Sequence, residues 1–183
     1  MSASQISLVA PCAALLGGYA AALRAGWSPN TMRDVSAEEL EAVEADPEGF
    51  LRDLTDPEGM VTLADGSRMP RLPFRIFWID DGEFCGAIGL RFQHGTEALP
   101  PHVPGHIGYS IVPWKRRLGY ATRALRLILP LARAEGLRRV LVTCDADNEA
   151  SRKVIAANGG VLDGFTPHDA ETGKAKLSYW IKT

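Results

Sequence analysis

Trp114-Lys115-Arg116-Arg117-Leu118-Gly119-Tyr120-Ala121-Thr122 lies between an apolar run with strand character, residues 106–112, and a run with helical spacing, residues 121–132. A strand that ends at Pro113, turns through basic residues and enters a helix at Gly119 leaves several backbone N–H groups without intrahelical partners, all directed at one place. The helix dipole adds partial positive charge there, and the small residues Gly119 and Ala121 let a ligand approach the backbone closely. The stretch therefore predicts a site for an anion such as a diphosphate. The alternative reading of the same residues is ordinary cap chemistry at a strand-to-helix turn.

Downstream, an apolar run at residues 140–142 precedes Asn148-Glu149-Ala150-Ser151, which opens a second helix that stops at Asn158-Gly159-Gly160. The pattern Arg116-x-x-Gly119-x-Ala121 resembles the acetyl-CoA motif of the GNAT superfamily of N-acetyltransferases, whose members also carry the second, Asn-led helix. Residues 106–160 resemble one bacterial branch of predicted acetyltransferases, sharing His106-Ile107-Gly108-Tyr109-Ser110 and Asn158-Gly159-Gly160. The resemblance implies an acyl-CoA N-acyltransferase fold of the α/β class, a mixed sheet in the order β-α-α-β-β-β-α-β-α-β-β. The hydrophobic pattern agrees with a sheet covered by helices on both faces.

With 183 residues, 46% hydrophobic and 23% charged, the chain has the size and composition of a single domain spanning residues 1–183. A net charge of −2 supplies no general field for nucleic acid or an anionic membrane, so any basic patch is local. Cys12, Cys85 and Cys144 are odd in number and embedded in apolar runs, which suits reduced thiols in a cytoplasmic protein. The first charge is Arg24, yet Pro11, Gly17 and Gly18 interrupt the apolar stretch before it, so neither a secretory signal nor a membrane span is well formed. A short strand at residues 6–10, then a helix bearing Leu15, Leu16, Tyr19 and Leu23, fits better.

Ser36-Ala37-Glu38-Glu39 has the capping-box form and predicts a second helix, with Leu40 and Val43 inward and Pro47 stopping it. Residues 46–73, rich in Pro, Gly and Asp, read as an irregular excursion on the substrate side. Residues 74–79 are almost wholly apolar, Asp80-Asp81-Gly82-Glu83 supplies a turn, and Phe84, Ile88, Leu90 and Phe92 share one parity, which predicts a hairpin. In the central helix, Ala121, Leu125, Ile128, Leu129 and Ala132 mark one face. Pro130 lies inside it and removes the bond to the Arg126 carbonyl, predicting a kink or an early end. Residues 138–144, 148–158, 160–165 and 176–181 complete the order as strand, helix and a closing strand pair.

The resemblance implies acetyl-CoA as cosubstrate and an amine-bearing acceptor. It assigns the pantetheine arm and thioester carbonyl to the strand backbone at Ile111 and Val112. The diphosphate falls to Arg116, Arg117 and the backbone of Leu118, Gly119, Tyr120 and Ala121, with Thr122 offering a hydroxyl. Asn148 is either a plain N-cap or a partner of the pantetheine amide, and the two are compatible. Ser151 is a hydrogen-bond donor to the CoA sulfur or a first-turn serine. Where many relatives place a tyrosine seven positions after that Asn, this chain has Ile155, which leaves the general acid open; Tyr109 and Tyr179 are the remaining phenols on strands. His106, beginning the central strand with an imidazole that titrates near neutrality, is the candidate base, with Asp145 and Glu97 behind it.

His94, His102 and His106 lack a recognised metal spacing, and Asp145-Ala146-Asp147 fails as a calcium loop because Ala150 stands where glycine is required. Gly86-x-x-Gly89 falls inside a predicted strand and is no dinucleotide fingerprint. The expectation is an acetyl-CoA-dependent N-acetyltransferase acting on a primary amine, with no metal, no nucleic acid and no membrane. The competing class is a non-catalytic acyl-CoA-binding sensor. Oligomeric state and acceptor identity have no readable signature.

Overall fold

The computed structural model describes residues 5–62, 66–169 and 172–183. The apolar run and its turn residues form the hairpin of β4 (Phe74–Asp80) and β5 (Phe84–Arg91), in which Asp80 Oδ1 accepts the Gly82 N–H at 2.8 Å. β1 (Ser7–Val9) pairs with β4, and β6 (Ile107–Ile111) pairs with β5, so the first sheet runs β1-β4-β5-β6 with every neighbour antiparallel. The second sheet, also antiparallel, is β7 (Arg139–Asp145), β9 (Lys176–Lys182) and β8 (Val161–Thr166) in the order β7-β9-β8.

Alternation along β4 and β5 feeds two buried clusters, one on each face. One holds Ile79, Cys85, Ile88, Leu90 and Phe92 against α4 (Tyr120–Ala134) and α5 (Glu149–Ala157). The other holds Trp78, Phe84 and Ala87 against α1 (Ala13–Arg24) and α2 (Ser36–Ala45). Phe84 thus lies on the face opposite Ile88, Leu90 and Phe92, although its parity placed it with them. The cause is a bulge: Ile79 pairs with Gly86 but Asp80 with Phe84, so Cys85 is an extra residue that flips everything before it. Gly86 absorbs the distortion at φ 147°, and a Cβ there would sit 2.3 Å from the Ser110 carbonyl oxygen.

The excursion at residues 46–73 is more ordered than its composition implied. Pro47 begins a further helix, α3 (Pro47–Thr55), whose N-cap Asp46 accepts the Gly49 N–H at 2.9 Å; α2 has already ended at Ala45. β2 (Met60–Thr62) and β3 (Arg68–Pro70) then form a small antiparallel pair, with residues 63–65 of the excursion outside the described residues.

Two other local expectations change. The capping box of α2 is not made: Asp34 Oδ1 accepts the Ser36 N–H at 2.8 Å, and the Glu39 carboxylate turns to Tyr19 instead. The central helix does not end early, since α4 continues past Pro130 to Ala134. Its buried stripe of Ala124, Leu125, Ile128 and Ala132 spans the proline, while Arg126 and Pro130 themselves are exposed. Among the described residues no helix is long and apolar enough to cross a membrane.

Candidate functional site

Hydrogen bonds between His106 and Leu141 link the two sheets. His106 donates its backbone N–H to the Leu141 carbonyl at 2.8 Å, and its Nδ1 accepts the Leu141 N–H at 2.9 Å. Past that junction β6 and β7 belong to different sheets, and a cleft of about 1220 Å³ is lined by both strands, by the turn before α4, by the first turn of α5 and by the α1–α2 side.

At the turn, Pro113 to Lys115 form a single 3-10 turn, after which Arg117 (φ 63°) and Gly119 (φ 77°) both adopt the left-handed conformation. Gly119 is the N-cap of α4 and has no side chain to cap it, so the start of the helix carries no side-chain cap and suits an anion. Gly119 has nothing within 4 Å of a notional Cβ, so its backbone is reachable from outside. Arg116 and Arg117 are exposed, and Arg116 Nε donates to the Ile111 carbonyl at 3.1 Å, tying the turn to the strand it leaves. The turn is braced from behind: Lys115 Nζ lies 2.9 Å from Asp81 and 3.1 Å from Glu83, and the Tyr120 hydroxyl donates to Asp81 at 2.5 Å. Burial works against the Asp81 charge, but the Tyr120 and Lys115 bonds outweigh it and hold its carboxyl down at about 2. Asn158 Nδ2 donates to the carbonyls of Thr122 at 3.1 Å and Val154 at 2.9 Å, joining the end of α5 to the start of α4. The helix stop read from Asn158-Gly159-Gly160 is therefore also a clamp on the first turn of α4.

Across the cleft, Asn148 is the N-cap of α5 and its Oδ1 accepts the Ser151 N–H at 3.0 Å. Tyr109 and Ser151, 42 residues apart in sequence, share a hydroxyl–hydroxyl hydrogen bond of 2.7 Å on the cleft wall. Burial pushes the Tyr109 phenol up to about 12, so it stays protonated at neutral pH. Cys144 lines the same wall, its thiol raised by burial. Ile155, where relatives carry a phenol, is fully buried core, and Tyr109 brings a phenol to Ser151 from the opposite strand. Ile111 and Val112 bury their side chains, 8% and 0% exposed; Ile111 is on the cleft lining, whereas Val112 is not, and its N–H and carbonyl are taken by the Cys85 carbonyl and the Lys115 N–H, each at 3.0 Å.

His106 does not suit the role of base. It has no exposed surface, its Nδ1 is taken by Leu141, it is not part of the cleft lining, and burial lowers its pKa to about 4. Two of the other candidates are committed to ion pairs, Asp145 to Lys174 at 3.1 Å and Lys176 at 2.5 Å, Glu97 to Arg139 at 2.9 Å. Tyr179 is packed in the core at 9% exposure. Among the described residues no three His, Cys, Asp or Glu side chains come together as a metal site.

On the α1–α2 side the structure adds a pair that the sequence did not disclose. Tyr19, 1% exposed and packed by Trp27, Phe50, Trp78 and Phe84, donates its hydroxyl to Glu39 on the cleft lining. Tyr19 read as a core residue at helical spacing, and Glu39 as half of a capping box or, with Glu38, Glu41, Glu44 and Asp46, as an exposed acidic face able to attract a cationic acceptor. Only the packing of α1 on α2 reveals that they meet.

The sequence family described as "Acetyltransferase (GNAT) domain" matches residues 29–161. No curated protein matches the chain. Among solved structures, Mycobacterium smegmatis RimJ in complex with CoA-disulfide is 21% identical with a TM-score of 0.68, covering 99% of this chain and 83% of its own. The ribosomal L7/L12 alpha-N-protein acetyltransferase RimL, in complex with coenzyme A, is 16% identical with a TM-score of 0.65, covering 98% and 94%. The microcin C7 self-immunity acetyltransferase MccE, in complex with acetyl-CoA and AMP, is 13% identical with a TM-score of 0.64, covering 98% and 93%. At these identities the structures establish the likeness of fold.

Proposed function

This chain belongs to the GNAT acetyltransferase family, and on that premise we propose that it transfers the acetyl group of acetyl-CoA to a primary amine by direct attack in a ternary complex. The observation that carries the reading is the uncapped start of α4 opening on the same cleft as the Tyr109–Ser151 pair, so that one ligand with an anionic end and a thioester end fits both. The diphosphate takes the open N–H groups at Leu118 to Thr122, with Arg116 and Arg117 at its exposed side. The pantetheine arm lies along β6 at Ile111, which lines the cleft, and Asn148 keeps Ser151 in place.

The neutral amine attacks the thioester carbonyl carbon, and the C–N bond forms as the carbonyl becomes an oxyanion. Collapse breaks the C–S bond, and the electron pair leaves on sulfur. Ser151 and Tyr109, both protonated at neutral pH, stabilise that sulfur by hydrogen bonding, and the proton lost by the amine balances the one the thiolate finally takes. The wider reading is one domain over residues 1–183 working in the cytoplasm, in keeping with three free thiols.

The test is thiol release from acetyl-CoA against a panel of primary amines, including peptides with free N-termini and small amines. Amine-dependent release supports transfer. Tight CoA binding with no release from any amine overturns it in favour of a CoA-binding sensor.

A further inference from the structure

We infer that Glu39 is the acceptor-recognition residue of this cleft, binding the ammonium group of a cationic amine carried on an apolar stem, which gives up its proton to solvent before the neutral amine attacks. The inference rests on the acetyltransfer reading for the identity of the cleft's other occupant.

Glu39 lies in the first turn of α2, where its expected work was to cap that helix. Asp34 does that work, and the Glu39 side chain instead reaches the cleft lining and the Tyr19 hydroxyl. One carboxylate oxygen is thereby taken. Among the described residues no Lys, Arg or His lies within ion-pairing distance of Glu39. Arg33, whose charge acts on Glu39 at longer range, is bonded to Glu38 at 2.8 Å, and on the cleft lining Arg75 holds Glu135 at 2.8 Å while Arg71 Nη1 donates to the Asp53 carbonyl at 3.0 Å. A half-buried carboxylate with one neutral donor and no directly paired cation is costly in the empty protein, and a cation arriving at its second oxygen recovers that cost. Burial raises the Glu39 carboxyl above its usual value despite the Tyr19 bond, in keeping with an unmet charge.

The surroundings say what carries the cation and where it reacts. Met32, Leu54 and Phe74, all half-buried, line the cleft with Glu39 and supply apolar walls for an alkyl stem. Tyr19 belongs to the buried cluster that contains Trp78, Ala87 and Val112, and Val112 directly follows Ile111 at the end of β6. The carboxylate is therefore held by the same packing unit that forms the floor beneath the proposed thioester position. Ser151 and Tyr109 stand on the other cluster, so the acceptor and the leaving sulfur approach from different walls.

The experiment is calorimetry on the CoA-saturated protein with n-alkylamines from ethyl to octyl and the matching alcohols. The wild-type protein should bind the amines in preference to the alcohols, more tightly as the stem lengthens. Glu39→Gln should lose about tenfold or more of the amine affinity, since a charge-assisted bond becomes a neutral one, while CoA affinity and alcohol binding hold. Glu39→Asp, which keeps the charge, should retain the preference for amine over alcohol. Equal binding of amine and alcohol by the wild type, no amine binding at all, or unchanged amine affinity in a folded Glu39→Gln variant would each overturn the inference. The two readings fail separately. Amine binding through Glu39 without thiol release refutes transfer alone, and thiol release that is indifferent to Glu39→Gln refutes the recognition role alone.

Discussion

Acidification should destabilise this protein through one buried imidazole, and replacing that imidazole should remove the effect. His106 is fully buried and uses Nδ1 as an acceptor for the Leu141 N–H at 2.9 Å, which requires the neutral ring with its proton on Nε2. Protonating Nδ1 would turn the acceptor into a donor facing a donor, at a hydrogen-bonded junction between the two sheets. The folded pKa is about 4 against 6.5 for the free group. Between those values the unfolded chain binds a proton that the folded chain refuses, so stability is fully present above about 6.5 and drains away as pH falls towards 4. The difference integrates to about 2 kcal/mol between about pH 7.5 and about pH 5, and to about 3 kcal/mol in the acid limit. Urea denaturation of wild type and His106→Asn at both pH values measures it, the asparagine keeping an acceptor near Nδ1 without a titrating group. The variant should be less stable at neutral pH by about 1–3 kcal/mol for lost packing, and the gap should close by about 2 kcal/mol at the lower pH. Parallel stability curves would refute the reasoning. At saturating substrates the turnover of folded His106→Asn should stay within about threefold of wild type, whereas a fall of about 10²-fold would restore His106 as the base.

Gly119→Glu should abolish CoA binding measured by calorimetry, because it adds negative charge and a strained φ of 77° at the anion site; unchanged affinity in a folded variant would dismiss the cradle. CoA affinity should also fall as salt rises, since Arg116 and Arg117 are exposed, and a flat response would mean that neither meets the diphosphate. Tyr109→Phe and Ser151→Ala should each lower kcat about 10- to 100-fold with little change in CoA affinity, and the double variant should fall short of the product because the two hydroxyls share one bond; full additivity would deny that they act as a unit. Gly86→Ala should cost about 2–4 kcal/mol in a denaturation experiment and loosen β6, since its Cβ would lie 2.3 Å from the Ser110 oxygen; a loss under about 1 kcal/mol would mean that the bulge relaxes freely.

Much of the architecture was legible because its signals are local. The hairpin announces itself as an apolar run, an Asp-Asp-Gly turn and a second apolar run, and α5 is bracketed by an Asn cap and an Asn-Gly-Gly stop. The strand-turn-helix cradle is equally local, since its donors are the backbone of consecutive residues and its requirement is small residues at Gly119 and Ala121. Phe84 escaped because one extra residue in a strand reverses every side chain before it, and a bulge has no parity signal of its own. α3 escaped because Pro47, which reads as a terminator, serves equally as the first residue of a new helix.

By itself, then, the sequence determined most of the segments that become strands and helices, and the family, because periodicity, caps and motif spacing act over a few residues. The chemistry of side chains facing one another belonged to the tertiary structure alone. Tyr109 meets Ser151 across 42 positions, Tyr19 meets Glu39 across 20, and Leu141 meets His106 across 35. The last contact decides what kind of residue His106 is: an imidazole in water titrates near neutrality, whereas one sealed between two sheets with its acceptor nitrogen occupied stays neutral, and burial is a property of packing that no single stretch of chain contains.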